Sequence, residues 1–106
     1  MKRADFLAAA KATRVGNPSF SLQARDRKDD AELRLGLTVT KKVGNAVERN
    51  RIRRRLRAAA RAVLPQAGKA GFDYVVVARR AALTAGFPEL TGGLENTLKQ
   101  VHKTRR

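Results

Sequence analysis

The chain has 106 residues, room for one domain with a modest core and little more. Twenty-four Lys and Arg against nine Asp and Glu give a formal charge of +15, a self-repulsion that a polyanionic partner relieves. The absence of cysteine excludes disulfides and thiolate metal sites, and no apolar run approaches the ~18 residues of a membrane span.

In chain order, residues 3–12 (RADFLAAAKA) have the Ala-rich composition of a short helix. Val15-Gly16-Asn17-Pro18 reads as the turn that ends it. Residues 19–25 alternate, with Phe20, Leu22 and Ala24 on one side and Ser19, Ser21, Gln23 and Arg25 on the other. Residues 33–40 alternate as well: Leu33, Leu35, Leu37 and Val39 against Arg34, Gly36, Thr38 and Thr40. The polar stretch Asp26–Glu32 lies between them, so the expectation is a β-hairpin with a charged tip and one apolar face. Its other face is small and polar, better suited to a ligand than to a core.

Gly44-Asn45 breaks the second strand, and Asn45 with Glu48 three residues on has the form of a capping box. A helix is expected from about residue 46 to 64, stopped by Pro65, with Ile52, Leu56, Ala59 and Val63 as a narrow apolar stripe. Phe72–Ala78 reads as a third strand. Its consecutive Val75, Val76 and Val77 suit a central position covered on both faces. A connection follows, with room for one helical turn. Pro88–Lys103 then reads as a terminal helix with Leu90, Leu94, Leu98 and Val101 at helical spacing. The order α-β-β-α-β-α predicts an α+β sandwich: a small mixed sheet with helices packed on one face. Residues 1–106 are expected to form a single domain. No secretory-type leader precedes the first helix, so a cytoplasmic location is expected.

The helix at 46–64 carries most of the functional information. Nine of the 24 basic residues fall in residues 41–61, opposed by Glu48 alone. Seven of them are Arg on the helix itself, and the Arg fork grips phosphate in bidentate fashion and stacks on bases. Asn50, Arg53, Arg54, Arg57 and Arg61 share an arc of roughly 100° beside the apolar stripe. Arg51 and Arg55 lie on the far flank. Arg49 lies at the stripe's edge, where its stem packs and its head snorkels. Lys41 and Lys42 just precede the helix N-terminus, whose free N–H groups favour an anion. Asn50 can donate or accept toward a base or a ribose 2′-OH. The charge pattern implies nucleic acid without choosing between RNA and DNA.

Residues 33–61, LRLGLTVTKKVGNAVERNRIRRRLRAAAR, resemble the signature region of the bacterial ribonuclease P protein family. The family pattern is a glycine-containing strand, then Lys-Lys-x-Gly-Asn-Ala-Val, then Arg-Asn-Arg with further basic residues. Lys41 to Val47 and Arg49-Asn50-Arg51 match it. Asp5-Phe6 and the strand Asp73 to Arg79 are similar to the family too, so the likeness spans the chain.

The resemblance implies a catalytic RNA subunit as partner and the 5′ leader of precursor tRNA as a second ligand. It implies endonucleolytic removal of that leader, with Mg2+ held mainly by the RNA subunit and the substrate. It also implies a left-handed β-α-β crossover, against the general right-handed rule. The RNA-binding set is then Lys41, Lys42, Arg49, Asn50, Arg51, Arg53, Arg54, Arg57 and Arg61. The leader cleft is expected to hold Phe6, Ser21, Gln23, Thr38 and Thr40, with Phe6 either stacking on a base or closing the core. Relatives often place aromatics where this chain has Ala10 and Gln23, so leader contacts here lean more on charge. Composition alone fits a ribosomal-type or chaperone RNA-binding protein equally well.

No catalytic or metal site is expected in the chain itself. His102 reads as a solvated residue of the last helix turn. Asp29, Asp30 and Glu32 read as a charged turn, and the remaining acids are scattered, unlike the convergent carboxylates of a two-metal nuclease. Neither an obligate protein partner nor a membrane is implied. The helix orientation makes one direct prediction. Ile52→Asp buries an unpaired charge and unfolds the domain, to be read as loss of the cooperative thermal transition in circular dichroism.

Overall fold

A computed structural model describes residues 13–104. The strands are β1 (Thr13–Gly16), β2 (Phe20–Asp26), β3 (Arg34–Thr38) and β4 (Phe72–Ala78). The α-helices are α1 (Ala46–Ala67) and α2 (Phe87–Thr104), and short 3-10 turns lie at Lys41–Val43 and Arg80–Leu83. The helix expected at residues 3–12, with Phe6 and Ala10, lies outside the described residues.

The sheet runs in the order β1-β2-β4-β3. β1 pairs antiparallel with β2, β2 antiparallel with β4, and β3 parallel with β4. The α+β class, the mixed sheet and the central place of the valine-rich strand agree with the sequence reading. Phe20, Leu22 and Ala24 of β2 and Tyr74, Val76 and Ala78 of β4 point into the core. There they meet Ile52, Leu56, Ala59 and Val63 of α1 and Leu90, Leu94, Leu98 and Val101 of α2. Both helices therefore share one face of the sheet.

The expected hairpin between residues 19–25 and 33–40 does not form. β4 inserts between those two strands, and the chain returns to it through α1 as a parallel crossover. The hairpin that does form joins β1 to β2. Asn17 builds its turn: Oδ1 accepts from the Ser19 and Phe20 amides at 2.8 and 2.9 Å, and the Asn17 amide donates to Phe20 O at 2.8 Å. β3 stops at Thr38, two residues short of the expected end. Helix α1 also runs past Pro65 to Ala67. Proline removes the N–H that the Arg61 carbonyl would receive, yet this close to the helix end the cost is one bond, and Gly68 N–H still closes onto Leu64 O at 2.9 Å.

The loop between β2 and β3 is tied to the sheet by arginine. Asp73 on β4 is 1% exposed. Arg34 holds it in bidentate fashion at 2.7 and 3.1 Å, Arg27 donates to the same carboxylate, and Arg25 stands 3.8 Å away. Arg27 also donates to the Glu32 carbonyl at 2.6 Å, which fastens the loop. At the loop's foot Gly71 has φ +81°, and a Cβ there would stand 2.3 Å from the Asp29 carbonyl oxygen. Glycine is therefore required at that position.

Burial pushes the Asp73 carboxyl up, but the hydrogen bonds from Arg34 and Arg27 outweigh it and hold it below the ordinary 3.8. A depressed carboxyl stabilises the fold above its unfolded value, and that stabilisation is lost as pH falls through the folded value. Asp73→Asn is thus expected to cost about 3 kcal/mol at neutral pH. Urea melts should show the gap from the parent protein closing as the pH is lowered below 3.8.

Candidate nucleic-acid interface

The capping box holds the start of α1 as the sequence implies: Glu48 N–H donates to Asn45 Oδ1 at 2.8 Å, and Asn45 N–H donates to Glu48 Oε1 at 3.0 Å. The same Glu48 receives Arg80 Nη2 at 2.9 Å, while Arg80 Nη1 donates to Val43 O at 2.8 Å. Arg80, then the Asn45 amide, hold the Glu48 carboxyl below its usual range. Gly44 passes so close that a Cβ would meet Glu48 Oε1 at 2.6 Å. This clamp fixes the 3-10 turn in which Lys41 and Lys42 stand exposed. It also neutralises the one acid of the basic segment.

Down α1, Asn50, Arg51, Arg54, Arg57 and Arg61 are exposed, and Arg49 and Arg53 are half-buried. Among the described residues no carboxylate pairs with any of these six arginines. The wheel's grouping holds in three dimensions for four of its five residues, while Arg61 lines a neighbouring cleft. Asn50, Arg53, Arg54 and Arg57 line one shallow cleft of about 500 Å3 together with Val47. Arg53 Nη1 donates to Asn50 Oδ1 at 3.1 Å, which engages the amide oxygen rather than the amide N–H groups. Arg49 snorkels as expected, and its buried Nε has no partner.

Two residues of the helix differ in role from the sequence reading or escaped it. Arg55, placed on a solvent flank, instead donates to the Ala82 and Leu83 carbonyls at 2.7 and 2.8 Å and to the Ala85 carbonyl. It pins α1 to the 3-10 turn after β4. Val47, 76% exposed, adds an apolar contact in the midst of the arginines. An apolar residue off the core stripe of a capped helix was the signal for it.

The sheet face turned away from the helices carries the expected leader-cleft residues in register. One row across the strands reads Gly16, Ser21, Val77, Thr38, and the next reads Arg14, Gln23, Val75, Gly36. Ser21, Gln23 and Thr38 are half-buried there, and Thr40 is exposed just before Lys41. Phe6 lies outside the described residues. A third row, Arg25, Asp73, Arg34, places two cations beside this surface. Arg79 adds another, its Nη2 standing 3.3 Å from where a Gly16 Cβ would be. Arg25 and Arg34 share the phase of Gln23 and Thr38 in the strand alternation, so the period-2 pattern already held them.

His102 is not the solvated residue expected. Tyr74 accepts the Lys69 amide at 3.0 Å, and its hydroxyl meets His102 Nε2 at 2.6 Å. The His102 ring sits edge-on to Phe72 at 4.7 Å between centroids. It closes the far end of the core. Among the described residues no group of three or more His, Cys, Asp or Glu converges as metal ligands, and no helix is long and apolar enough to cross a membrane.

A small mixed sheet with a capped, arginine-ridged crossover helix defines a basic α+β domain of the nucleic-acid-binding class. The Ribonuclease P family model matches residues 1–102. A relative from Ruegeria pomeroyi, the ribonuclease P protein component, is 49% identical over 104 residues, covering 95% of this chain and 83% of that one. The ribonuclease P protein of Staphylococcus aureus superposes with a TM-score of 0.75 at 33% identity, covering 94% of this chain and 91% of that one. That of Thermotoga maritima gives 0.78 at 28% identity, with 93% and 92% covered. The chain belongs to the ribonuclease P protein family, and this does not favour the ribosomal-type or chaperone alternative.

The geometry separates two kinds of arginine. Arg53→Ala and Arg57→Ala are expected to cost no thermal stability and to raise it by at most a few tenths of a kcal/mol through relieved repulsion. Each should lower the slope of log affinity for RNA against log salt by roughly 0.7–0.9. Arg55→Ala should do the reverse, costing about 2 kcal/mol of stability with the slope intact. Filter binding across a salt series, paired with thermal melts, reads both.

Proposed function

We propose that this chain is the RNA-binding, non-catalytic subunit of a ribonuclease P holoenzyme. It binds the catalytic RNA through Lys41, Lys42, Arg49, Asn50, Arg51, Arg53, Arg54, Arg57 and Arg61. It receives the 5′ leader of precursor tRNA on the open sheet face at Ser21, Gln23, Thr38 and Thr40, with Phe6 assigned to the same cleft. Endonucleolytic removal of the leader then leaves the mature tRNA 5′ end, in the cytoplasm.

The observation that carries this reading is the arginine ridge of α1, held in place by the Asn45–Glu48–Arg80 clamp and unopposed by acid. Phosphates are the complement of such a ridge. The sheet face turned away from α1 and α2 sets small polar side chains beside Val75 and Val77 with cations along its borders, which suits a single strand held by its backbone. Magnesium supplies the hydrolytic chemistry in this reading and belongs to the RNA and its substrate. Among the described residues no group of three or more acidic or histidine side chains converges to hold the ion. Asp73 is enclosed by arginines and Glu48 is engaged by Arg80, so neither offers a free oxygen edge to a cation.

The test is reconstitution. The protein alone should leave precursor tRNA intact, and protein with the ribonuclease P RNA should cleave faster than that RNA alone at low magnesium. The reconstituted enzyme should also bind leader-bearing tRNA more tightly than mature tRNA. Equal cleavage with and without protein rejects the subunit role, and equal binding of the two tRNAs rejects the leader cleft.

A further inference from the structure

A second cleft, of about 570 Å3, opens between the edge strand β3 and the C-terminal half of α1. Leu33, Leu35, Ala60 and Leu64 give it an aliphatic floor, and Arg57 and Arg61 stand exposed along its wall. It lies apart from the sheet's open face, because Leu33 and Leu35 share the phase of the core side chains. A floor of this kind makes no hydrogen-bond demand of its occupant. Polar demand comes from the wall. Pro65 has no N–H, so the Arg61 carbonyl lacks its helical donor, and both residues line the cleft. Glu32 adds a carboxylate at the loop end.

We propose that this cleft receives one unstacked base of the catalytic RNA. The base lies with its face on the leucines, its exocyclic amine toward the Arg61 carbonyl or Glu32, and the flanking phosphates on Arg57 and Arg61. The inference rests on the RNA-subunit reading above and deepens it. Arg57 is the link, because it lines both this cleft and the outer one shared by Val47, Asn50, Arg53 and Arg54. A backbone following the arginine ridge arrives at the cleft's rim. Arg57 and Arg61 are one turn apart, about 6 Å along the axis, so they offer successive grips. Unpaired bases are the parts of a folded RNA that present a free π-face, and the amine contact restricts the occupant to adenine, cytosine or guanine. An acidic amphipathic protein helix is the competing occupant. It would use the same floor and wall, but it leaves the continuity with the outer cleft without a purpose.

The experiment measures affinity for the ribonuclease P RNA, the salt dependence of that affinity, and 2′-hydroxyl acylation of the bound RNA. Leu33→Glu places a charge on the floor. Ala70→Trp fills the cleft from an exposed position and decides the matter if Leu33→Glu does not fold. The proposal expects each variant to bind about tenfold more weakly, the loss of one buried base face; Ala70→Trp keeps the salt slope, and Leu33→Glu lowers it because its carboxylate competes with phosphate for Arg57 and Arg61. One unpaired nucleotide, protected by the parent protein, should become reactive. If Arg53→Ala and Arg57→Ala weaken binding while both cleft variants keep the parent's affinity and footprint, the cleft proposal is overturned and the subunit reading stands. If a Glu/Leu amphipathic helical peptide binds the parent and not the variants, with RNA affinity untouched, the cleft belongs to a protein and the proposal is again overturned. If the arginine variants bind RNA as the parent does, both readings fail.

Discussion

The molecule depends on a thin apolar seam holding down a helix that charge would otherwise push away. Ile52, Leu56, Ala59, Ala60, Val63 and Leu64 are the buried residues of α1, and seven arginines flank that seam. Burying Ile52, Leu56 and Leu64 contributes about 1.5–3 kcal/mol each. Like charges a helical turn apart oppose this by a few tenths of a kcal/mol per pair. The seam wins, but by a margin that leaves the ridge energetically loaded. Two polar clamps add to it at either side: Arg55 onto the carbonyls after β4, and Arg80 onto Glu48 and Val43. Both clamps use arginine to hold arginine's own helix. Removing the repulsion by binding a polyanion favours the folded state through linkage, so the ridge and the fold's stability are one problem.

The same economy recurs at the other end of the sheet. Asp73 would be costly to bury alone, and it is surrounded by Arg25, Arg27 and Arg34. One carboxylate thereby orders three cations, fastens the loop between β2 and β3, and fixes where the borders of the open face stand. Acids are scarce in this chain, and the two best placed of them, Glu48 and Asp73, position arginines rather than cancel them wholesale.

The parts legible from sequence were those governed by local rules. The capping box at Asn45 and Glu48, the stripe at Ile52, Leu56, Ala59 and Val63, and the valine run of β4 each follow from spacing within one element. What failed was non-local. The alternation of residues 19–25 and 33–40 is real, but alternation gives the faces of a strand and not its neighbour, and β4 took the place between them. β1 escaped because four residues hold too little pattern, and because Gly16 and Asn17 belong to a hairpin turn as readily as to a helix end. Arg55 and His102 were misplaced for a related reason. A helical wheel ranks side chains about one axis, and the Ala82–Ala85 carbonyls and the Tyr74 hydroxyl come from other segments. The arginine ridge was legible because it faces solvent, where no tertiary partner intervenes.

The missing hairpin explains how the interface is concentrated. Had β2 and β3 paired as a hairpin, nothing would have set where β4 ended relative to β3. Instead β3 and β4 run parallel, so the residues that follow each strand emerge at the same end of the sheet. Lys41 and Lys42 follow β3, and Arg79 and Arg80 follow β4. A parallel connection also requires a crossover, here α1, and its N-terminus with its positive dipole end begins beside those cations, where Arg80 reaches Glu48 and Val43. Topology thus gathers at one rim four basic side chains, the helix's free amides and the first turn of the arginine ridge, although the sequence spreads them over forty residues. That convergence is what lets a domain of this size present a continuous basic surface while its hydrophobic core remains modest.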